Sequence, residues 1–306
     1  MNNVVHYFKV LSDETRLRLT CILRKYELSV NELVSILEMG QSRVSRHLKI
    51  LAEAGLLTSR RDGLWVFYSA VTNGEGADFL KAVEPFLSND TLRADVTMAA
   101  QIIEERALKT RQFFNTIAEH WDTLSRELLG GFDVAGEVSA AMPASCPVAV
   151  DLGCGTGIVL EGMLDHAQKI IGVDGSPRML ELSRRRIAAL NRSEVSLRIG
   201  DLSHLPLRDD EANFASINMV LHHISTPEEV LSEINRVLCP GGELLVIDFD
   251  QHEMERLRAE YGDLWLGFSE TTMRHYLTAT GFEVISCTHH PVQQGLAINI
   301  TLSRRI

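Results

Sequence analysis

The sequence predicts an α/β protein in which a helical region with a short β-hairpin precedes an open, mostly parallel sheet flanked by helices. Three observations predict this arrangement. Short helical patterns and a tight glycine-containing turn fill most of the first 72 residues. A buried-strand pattern near residue 150 ends in a glycine-rich turn. Two further apolar runs follow, and each of them ends beside an aspartate.

Length and charge both indicate two domains. A chain of 306 residues exceeds the size at which a single core usually stops growing. The formal net charge is −11, but residues 1–72 contain 10 Lys and Arg against 7 Asp and Glu, a balance of +3 that leaves −14 for the rest. This asymmetry is compatible with DNA binding by the first part only.

The amino-terminal region predicts a succession of short helices. Apolar residues recur at helical spacing from Asn3 to Leu11, and Ser12 is expected to cap a second helix that runs to about Tyr26. A third helix opens at Ser29, where Glu32 completes a capping box. Met39-Gly40 breaks that helix and a fourth begins, which is the pattern of a helix-turn-helix.

The fourth helix offers a polar face suited to DNA. Glutamine and arginine make bidentate contacts with base edges, and serine suits phosphates. The residues expected to bind DNA on this face are Gln41, Ser42, Arg43, Ser45, Arg46 and His47. A solvated helix face explains the same pattern when the helix is taken alone. The strand-turn-strand pattern at 56–70 then predicts a wing that lays Arg60 and Arg61 on the DNA backbone.

Residues 11–18 (Leu-Ser-Asp-Glu-Thr-Arg-Leu-Arg) and 44–51 (Val-Ser-Arg-His-Leu-Lys-Ile-Leu) resemble the ArsR/SmtB family of winged-helix repressors. The resemblance covers about residues 1–90 and implies a DNA-binding and dimerisation domain that reads a two-fold operator and releases it when an inducer binds. Many relatives sense metals through cysteines at the start of the third helix. Residues 27–32 here contain no thiol, so no metal is expected at that site.

The stretch Val148–Gly157 predicts a buried strand that turns tightly into a helix. Gly153, Gly155 and Gly157 allow backbone angles that a side chain forbids, and they let a ligand approach the main chain. Such a turn alone serves either a dinucleotide-binding unit or the packing of a helix on a strand.

Three acids follow three successive apolar runs. Asp151, Asp174 and Asp201 therefore stand at the carboxyl ends of neighbouring strands, where open α/β sheets bind ligands. Asp174 lies about twenty residues beyond the glycines, the position at which a ribose-binding carboxylate is expected.

Together with the glycine turn, residues 174–179 (Asp-Gly-Ser-Pro-Arg-Met) and 236–242 (Arg-Val-Leu-Cys-Pro-Gly-Gly) resemble class I S-adenosylmethionine-dependent methyltransferases. The resemblance implies a Rossmann-like seven-stranded domain, assigned to residues 126–306, that binds S-adenosylmethionine or S-adenosylhomocysteine without a metal. Asp151 would balance the ammonium of the ligand, Asp174 would accept from the ribose hydroxyls, and Asp201 would accept from the adenine amino group. The remaining residues assigned to the ligand are Gly153, Gly155, Gly157, Met179, Leu202 and Asn218.

Catalytic residues are much less defined by the sequence. His222 and His223 face the expected acceptor site and suit a general base, yet similar residues recur in this family for packing reasons. His252 follows the fifth strand, in a segment that either binds an acceptor or is simply a polar loop.

Residues 91–125 connect the two domains and are expected to form a helical linker or lid. The segment contains neither glycine nor proline. Phe113, Phe114 and Trp121 lie just ahead of the first strand of the sheet. Aromatic residues at this position cover the cofactor in small-molecule methyltransferases, but ordinary core packing explains them equally well.

Two functions fit these features. The first is a transcriptional regulator, expected to be a repressor, that binds duplex operator DNA as a homodimer and uses a methyltransferase-like domain to sense S-adenosylhomocysteine or S-adenosylmethionine. The second is an active small-molecule methyltransferase that also regulates its own operon. The five cysteines have no C-x-x-C spacing, and no stretch is long and apolar enough to span a bilayer. A cytoplasmic location is therefore expected.

Overall fold

A computed structural model describes residues 3–87, 89–190, 192 and 194–306. The chain divides into two compact units, the first ending at Arg106 and the second running from Ala107 to Ile306. This division falls inside the segment 91–125 that the sequence suggests as a separate linker, so that segment is shared between the two units. In the described residues, no helix is long and apolar enough to cross a membrane.

The first unit consists of short helices and a small sheet. Its helices are α1 (Asn3–Leu11), α2 (Glu14–Leu23), α3 (Val30–Leu37), α4 (Gln41–Glu53), α5 (Gly74–Val83) and the first part of α6 (Asp90–Ile117), and its strands are β1 (Leu28–Ser29), β2 (Leu57–Asp62) and β3 (Trp65–Ala70). The strands form an antiparallel sheet in the order β1-β3-β2. The predicted winged helix-turn-helix is present, and β1 is an additional strand that the sequence did not indicate.

Helix boundaries in this unit follow from their caps. Ser29 caps α3, and the reciprocal bonds between Ser29 and Glu32 form the predicted capping box. The predicted cap of α2 at Ser12 is wrong. Asp13 occupies that position and accepts from the Arg16 backbone, while the Ser12 hydroxyl donates to the Lys9 carbonyl.

Helix α6 is bound into the first unit by two ion pairs. Arg18 of α2 donates to both carboxylate oxygens of Asp95, each at 2.7 Å, and Asp95 is buried. Arg106 donates to Glu32, the residue that also closes the capping box of α3. Bidentate arginine–carboxylate pairs fix orientation as well as distance. The first part of α6 therefore holds the start of the helix-turn-helix in place.

The second unit is a seven-stranded sheet with helices around it. Its strands are β4 (Cys146–Leu152), β5 (Ala167–Asp174), β6 (Val195–Ile199), β7 (Ala212–Asn218), β8 (Leu238–Phe249), β9 (Phe282–Pro291) and β10 (Ala297–Arg305), and its helices after α6 are α7 (Trp121–Leu129), α8 (Val134–Ala141), α9 (Ile158–Met163), α10 (Pro177–Ala189), α11 (Pro227–Val237), α12 (Arg256–Glu260) and α13 (Glu270–Ala279). The strand order is β6-β5-β4-β7-β8-β10-β9.

Strand pairing explains where a ligand site lies in this sheet. Strands β4 to β8 pair in parallel, whereas β10 runs antiparallel to both β8 and β9. The order reverses beside β4, because β5 lies on one side of it and β7 on the other. Ligands bind at the carboxyl ends of strands next to such a switch point. The predicted Rossmann-like seven-stranded sheet is confirmed.

Candidate ligand groove and DNA-binding surface

The glycine turn after β4 forms the floor of the groove. Gly153, Gly155 and Gly157 all have positive φ angles, of 71°, 51° and 85°. A β-carbon at Gly153 would lie 2.5 Å from Val220, and one at Gly157 would lie 2.5 Å from Ser183, so close packing excludes side chains there. At Gly155 the nearest atom would be 4.0 Å away. The middle of the turn therefore faces open space that a ligand can occupy.

Asp174 ties the glycine turn to the start of α10. Its two carboxylate oxygens accept from the backbone amides of Gly155 and Ser176, at 2.9 and 2.7 Å. Burial raises the pKa of Asp174, and the two amide bonds oppose that rise. Each oxygen retains a second lone pair. The carboxylate is thus held in place with acceptor capacity left for a pair of hydroxyl groups.

Asp151 lies deeper, near the end of β4, and is buried. Its Oδ1 atom accepts from the Ser216 hydroxyl at 2.6 Å and from the Asn218 amide at 3.0 Å. Burial raises the pKa of Asp151 to about 7, although both of these bonds favour the ionised form. The amide oxygen of Asn218 is buried and has no hydrogen-bond partner among the described residues. A cationic donor that enters here would meet an acid whose pKa is about 7 and an amide oxygen, that of Asn218, that can still accept a hydrogen bond.

The other end of the groove lies beyond β5 and β6. Met179 and Leu202 are buried, whereas Asp201 is exposed and accepts from the Ser203 amide. Arg111, near the end of α6, lies 3.7 Å from Asp201 and close to Gly175. Arg111 was not predicted from the sequence, because it precedes the sheet by more than thirty residues and belongs to no motif.

The segment from Phe113 to Asp122, which we call the strap, is bonded to the rim of the groove. Asn115 accepts from the Ser176 hydroxyl at 2.6 Å, and Glu119 pairs with Arg178. Asp122 accepts from the Thr156 hydroxyl at 2.6 Å and from Arg186 at 2.6 Å. These bonds join the strap to the glycine turn and to α10, and the sequence contained no signal for them.

Aromatic residues of the strap pack beside the expected acceptor site. Phe114 makes edge contacts with Phe113, Trp121 and His223. A cavity of about 10 Å³ remains nearby, lined by Trp121, Ser125, Leu128, Leu129, Met219, His222, His223, Phe249, Tyr261 and Asp263. That volume accommodates about one water molecule. Side chains therefore leave little free space where the sequence predicts an acceptor.

The two neighbouring histidines are buried and have different partners. His222 Nδ1 lies 2.6 Å from Asp248 Oδ1, and His223 Nδ1 lies 3.2 Å from the Gly262 carbonyl. Burial tends to lower the pKa of His222, but the charges of Asp248 and Asp263 outweigh burial and raise it. Burial and the charge of His222 keep the pKa of His223 well below its usual value. His252 accepts from the Met254 amide and packs its ring edge against Phe249.

The exposed face of α4 presents most of the residues expected to bind DNA. Gln41, Ser42, Arg43 and Arg46 are exposed, and Ser45 is half-buried. The expectation that His47 shares this face is wrong. Its side chain is buried, with Nδ1 3.5 Å from the carboxylate of Asp13. At one residue beyond Arg46 the helix has turned by about 100°, towards α2.

The two wing arginines differ in availability. Arg61 is exposed and donates to the Gly63 carbonyl near the tip of the hairpin. Arg60 instead forms ion pairs with Glu27 at 3.4 Å and Asp62 at 3.1 Å, and its guanidinium lies over the Phe67 ring. Its expected contact with the DNA backbone would require these intramolecular contacts to open, so only Arg61 is presented as the sequence suggests.

Comparisons with known proteins agree with both units. The family described as "Methyltransferase domain" matches residues 150–246, and the family described as "Bacterial regulatory protein, arsR family" matches residues 13–59. A demethylmenaquinone methyltransferase from Symbiobacterium thermophilum is 30% identical over 174 residues, which are 54% of this chain and 68% of that protein. The chain is a class I methyltransferase-family member with an ArsR-family helix-turn-helix.

Other similar proteins extend the comparison. An uncharacterized 37.1 kDa protein in transposon TN4556 of Streptomyces fradiae is 38% identical over 119 residues, which cover 38% of this methyltransferase-family chain and 33% of that protein. Among curated relatives, the chain thus spans from about a third to about two thirds of their length. The crystal structure of the [4+2]-cyclase SpnF superposes with a TM-score of 0.55 at 18% identity, covering 64% of this chain and 94% of that one. At this identity the likeness concerns the fold alone.

Proposed function

We propose that this chain is a DNA-binding transcriptional regulator whose methyltransferase-like unit binds S-adenosylhomocysteine or S-adenosylmethionine as an effector and thereby changes operator affinity. The observation that carries the proposal is the coexistence of free space beside Gly155 and the Asp174 carboxylate with a cavity of only about 10 Å³ among the side chains where an acceptor is expected. A sensor needs space for the nucleoside but needs no cleft for a methyl acceptor. Methyl transfer needs both.

The residues of the groove fit the chemistry of this ligand. An acceptor carboxylate at Asp174 suits ribose hydroxyls, and Asp151 with the Asn218 oxygen suits an ammonium group. Bound ligand would place its ribose at Asp174 and its amino-acid tail at Asp151. Asp201 and the buried Met179 and Leu202 are the residues that we assign to the adenine end.

A route for coupling is available within α6. Its first part is paired with α2 and α3 through Asp95 and Arg106, and its last part continues into the strap through Asn115. A ligand that changes the position or stability of the strap would bias the same helix. A 10- to 100-fold change in operator affinity requires only about 1.4 to 2.8 kcal/mol of coupling.

The decisive experiment is a gel-shift titration with duplexes selected by the full chain from a random library. S-Adenosylhomocysteine or S-adenosylmethionine is expected to change operator affinity about 10- to 100-fold. Calorimetry with each nucleoside, with and without the duplex, measures the reciprocal effect. Unaltered operator affinity with both nucleosides at saturating concentration would refute the proposal.

A second function deserves the same test because of the His222–Asp248 pair. A histidine that is oriented by a carboxylate 2.6 Å away has the arrangement that a general base needs. In this case the chain methylates a small molecule after the strap opens the acceptor site. Transfer of labelled methyl groups from S-adenosylmethionine to an acceptor in cell extract would support this function, whereas effector binding without transfer would favour the sensor.

Nucleoside binding should depend on pH through Asp151. Its pKa of about 7 means that the acid is mostly protonated at pH 6 and mostly ionised at pH 8, and only the carboxylate pairs with the ligand ammonium. We expect S-adenosylhomocysteine to bind about tenfold more tightly at pH 8 than at pH 6. Calorimetry across this range measures the effect. Asp151→Asn retains an acceptor for Ser216 and Asn218, so it should fold but lose the pH dependence.

Dimerisation is expected through the exposed apolar face of α1. Val4, Val5 and Phe8 are 48%, 51% and 59% exposed, and Phe8 also packs against Phe79 of α5. An apolar face of this kind marks an interaction surface, and the ArsR-type region favours a second copy as its occupant. Val5→Asp should convert a dimer into a monomer in sedimentation experiments. Ile285→Asp, at an equally exposed apolar position on β9, is the control and should leave the dimer intact.

A further inference from the structure

The strongest unassigned chemistry lies behind the strap, where His222, His223 and Asp263 meet. All three side chains are buried, and one donor atom from each lies within 4.8 Å of the other two. His222 Nε2 and His223 Nδ1 lie 3.8 and 3.9 Å from Asp263 Oδ1. Around an ion with bonds of about 2.0–2.2 Å, donor atoms are roughly 3–3.5 Å apart. Small rotations of these side chains would therefore complete a ligand set.

Hydrogen bonds already orient His222 as a metal ligand. Its Nδ1 atom is engaged by Asp248 at 2.6 Å, which leaves the Nε2 lone pair directed towards the Asp263 side of the ring. Histidines that bind metals usually donate their second ring proton to a carboxylate or carbonyl in this way. Asp248 would thus fix the tautomer and raise the basicity of His222.

His223 lines the same cavity, and its two ring nitrogens differ. Its Nδ1 atom, which lies 3.9 Å from Asp263 Oδ1, faces the Gly262 carbonyl at 3.2 Å and would exchange that contact for the ion, whereas its Nε2 atom is buried without a hydrogen-bond partner among the described residues. A buried polar atom left unpaired costs free energy unless something satisfies it. The adjoining cavity of about 10 Å³ has room for a single ion or a single water molecule.

The donor types at this position suit a transition-metal ion. Asp248 and Asp263 bring two carboxyl groups into a buried region beside the two imidazoles. Two histidines and one carboxylate match the ligand preference of zinc and of iron(II), whereas magnesium and calcium prefer sites made of oxygen atoms alone.

We propose that His222, His223 and Asp263 bind one divalent transition-metal ion of the zinc or iron(II) class, with Asp248 as the positioning residue of His222. The backbone amides of Leu264 and Trp265 already donate to the His222 carbonyl, so the turn at 221–223 and the segment at 262–265 are in contact. The ion would join these two segments further through their side chains. This site shares no residue with those assigned to the nucleoside or to DNA, but His222 and His223 are also the candidate catalytic residues beside the strap. It differs from the expectation, drawn from the sequence, that the chain uses no metal.

Untagged full-length protein, stripped with a chelator and dialysed, is the material for the test, and zinc chloride is the probe. Competition against a chromogenic chelator is expected to give one tightly bound Zn²⁺ per chain. Asp263→Asn should greatly weaken that binding, and Asp248→Asn should weaken it by about 10- to 100-fold. Asp165→Asn and His275→Gln, which alter exposed residues, should bind zinc as the wild type does.

Cobalt(II) substitution of the wild-type protein keeps the proposal testable even if a buried variant fails to fold. Visible d–d bands that disappear when zinc is added would support a ligand set of imidazole and carboxylate. Absence of these bands, together with zinc binding no stronger than to the stripped Asp263→Asn protein, would overturn the proposal. Magnesium binding at the same residues would overturn the assigned metal class.

Discussion

Replacing Asp174 by asparagine is expected to weaken S-adenosylhomocysteine binding by at least about 100-fold. Hydrogen bonds to a charged group contribute roughly 1.5 to 3 kcal/mol each, and Asp174 is assigned two of them to the ribose. Its carboxylate also accepts from the Gly155 and Ser176 amides, so an amide side chain would leave one of these donors opposite an NH₂ group. The substitution would therefore weaken ligand binding and remove one of the bonds that hold the glycine turn and the start of α10 together.

Calorimetry with the nucleoside measures this loss, and gel shifts reveal its consequence. Operator binding without nucleoside should remain normal in Asp174→Asn, because the residues assigned to DNA belong to the other unit. The response of operator affinity to nucleoside should disappear. Asp165→Asn changes an exposed carboxylate and should behave as the wild type. Undiminished nucleoside binding by Asp174→Asn would contradict the assigned groove.

The double substitution of Arg43 and Arg46 by alanine is expected to reduce operator affinity by about 100-fold or more. Both side chains are exposed on α4, and an arginine that reads a base contributes roughly 1 to 3 kcal/mol. If one of these arginines contacts a phosphate instead, a plot of the logarithm of the binding constant against the logarithm of the salt concentration should be less steep in the double variant, by about one unit. Gel shifts at several salt concentrations separate these two roles.

Lys49 provides the matched control for this substitution. It is exposed on the same helix, but it lies near the carboxyl-terminal end, 3.7 Å from Glu53. Recognition helices contact bases with their amino-terminal residues, so Lys49→Ala should change operator affinity little. Nucleoside binding should be normal in both proteins. Equal operator affinity for the double variant and the wild type would show that α4 is not the recognition helix.

Local patterns in the sequence were sufficient for much of the fold. The capping box at Ser29, the glycine turn after β4 and the strand Val195–Ile199 depend on neighbouring residues, and each appears in the structure. The two-residue strand β1 is too short to show alternation. Asp13 displaced Ser12 as the cap of α2 because the two residues are adjacent and both are good caps.

The site was harder to predict wherever it depends on distant partners. Asn115 and Ser176 are 61 residues apart, and Asp122 and Arg186 are 64 apart, so no motif connects them. Likewise, the partners of His222 come from later in the chain, because Asp248 lies near the end of β8 and Asp263 lies just after α12. Exposure of His47 was misjudged because the helical pattern alone did not reveal that Asp13 lies beside it.

Helix α6 also limits how the chain can be cut or recombined. A fragment ending at residue 90 would lack Asp95 and the fully buried Ala99, and the guanidinium of Arg18 would lose its carboxylate. A fragment beginning at residue 126 would expose Thr156 and Ser176, whose partners Asp122 and Asn115 would be missing. Either cut therefore removes contacts that its fragment makes in the intact chain, and a graft that keeps both sets of contacts requires a junction within α6 itself.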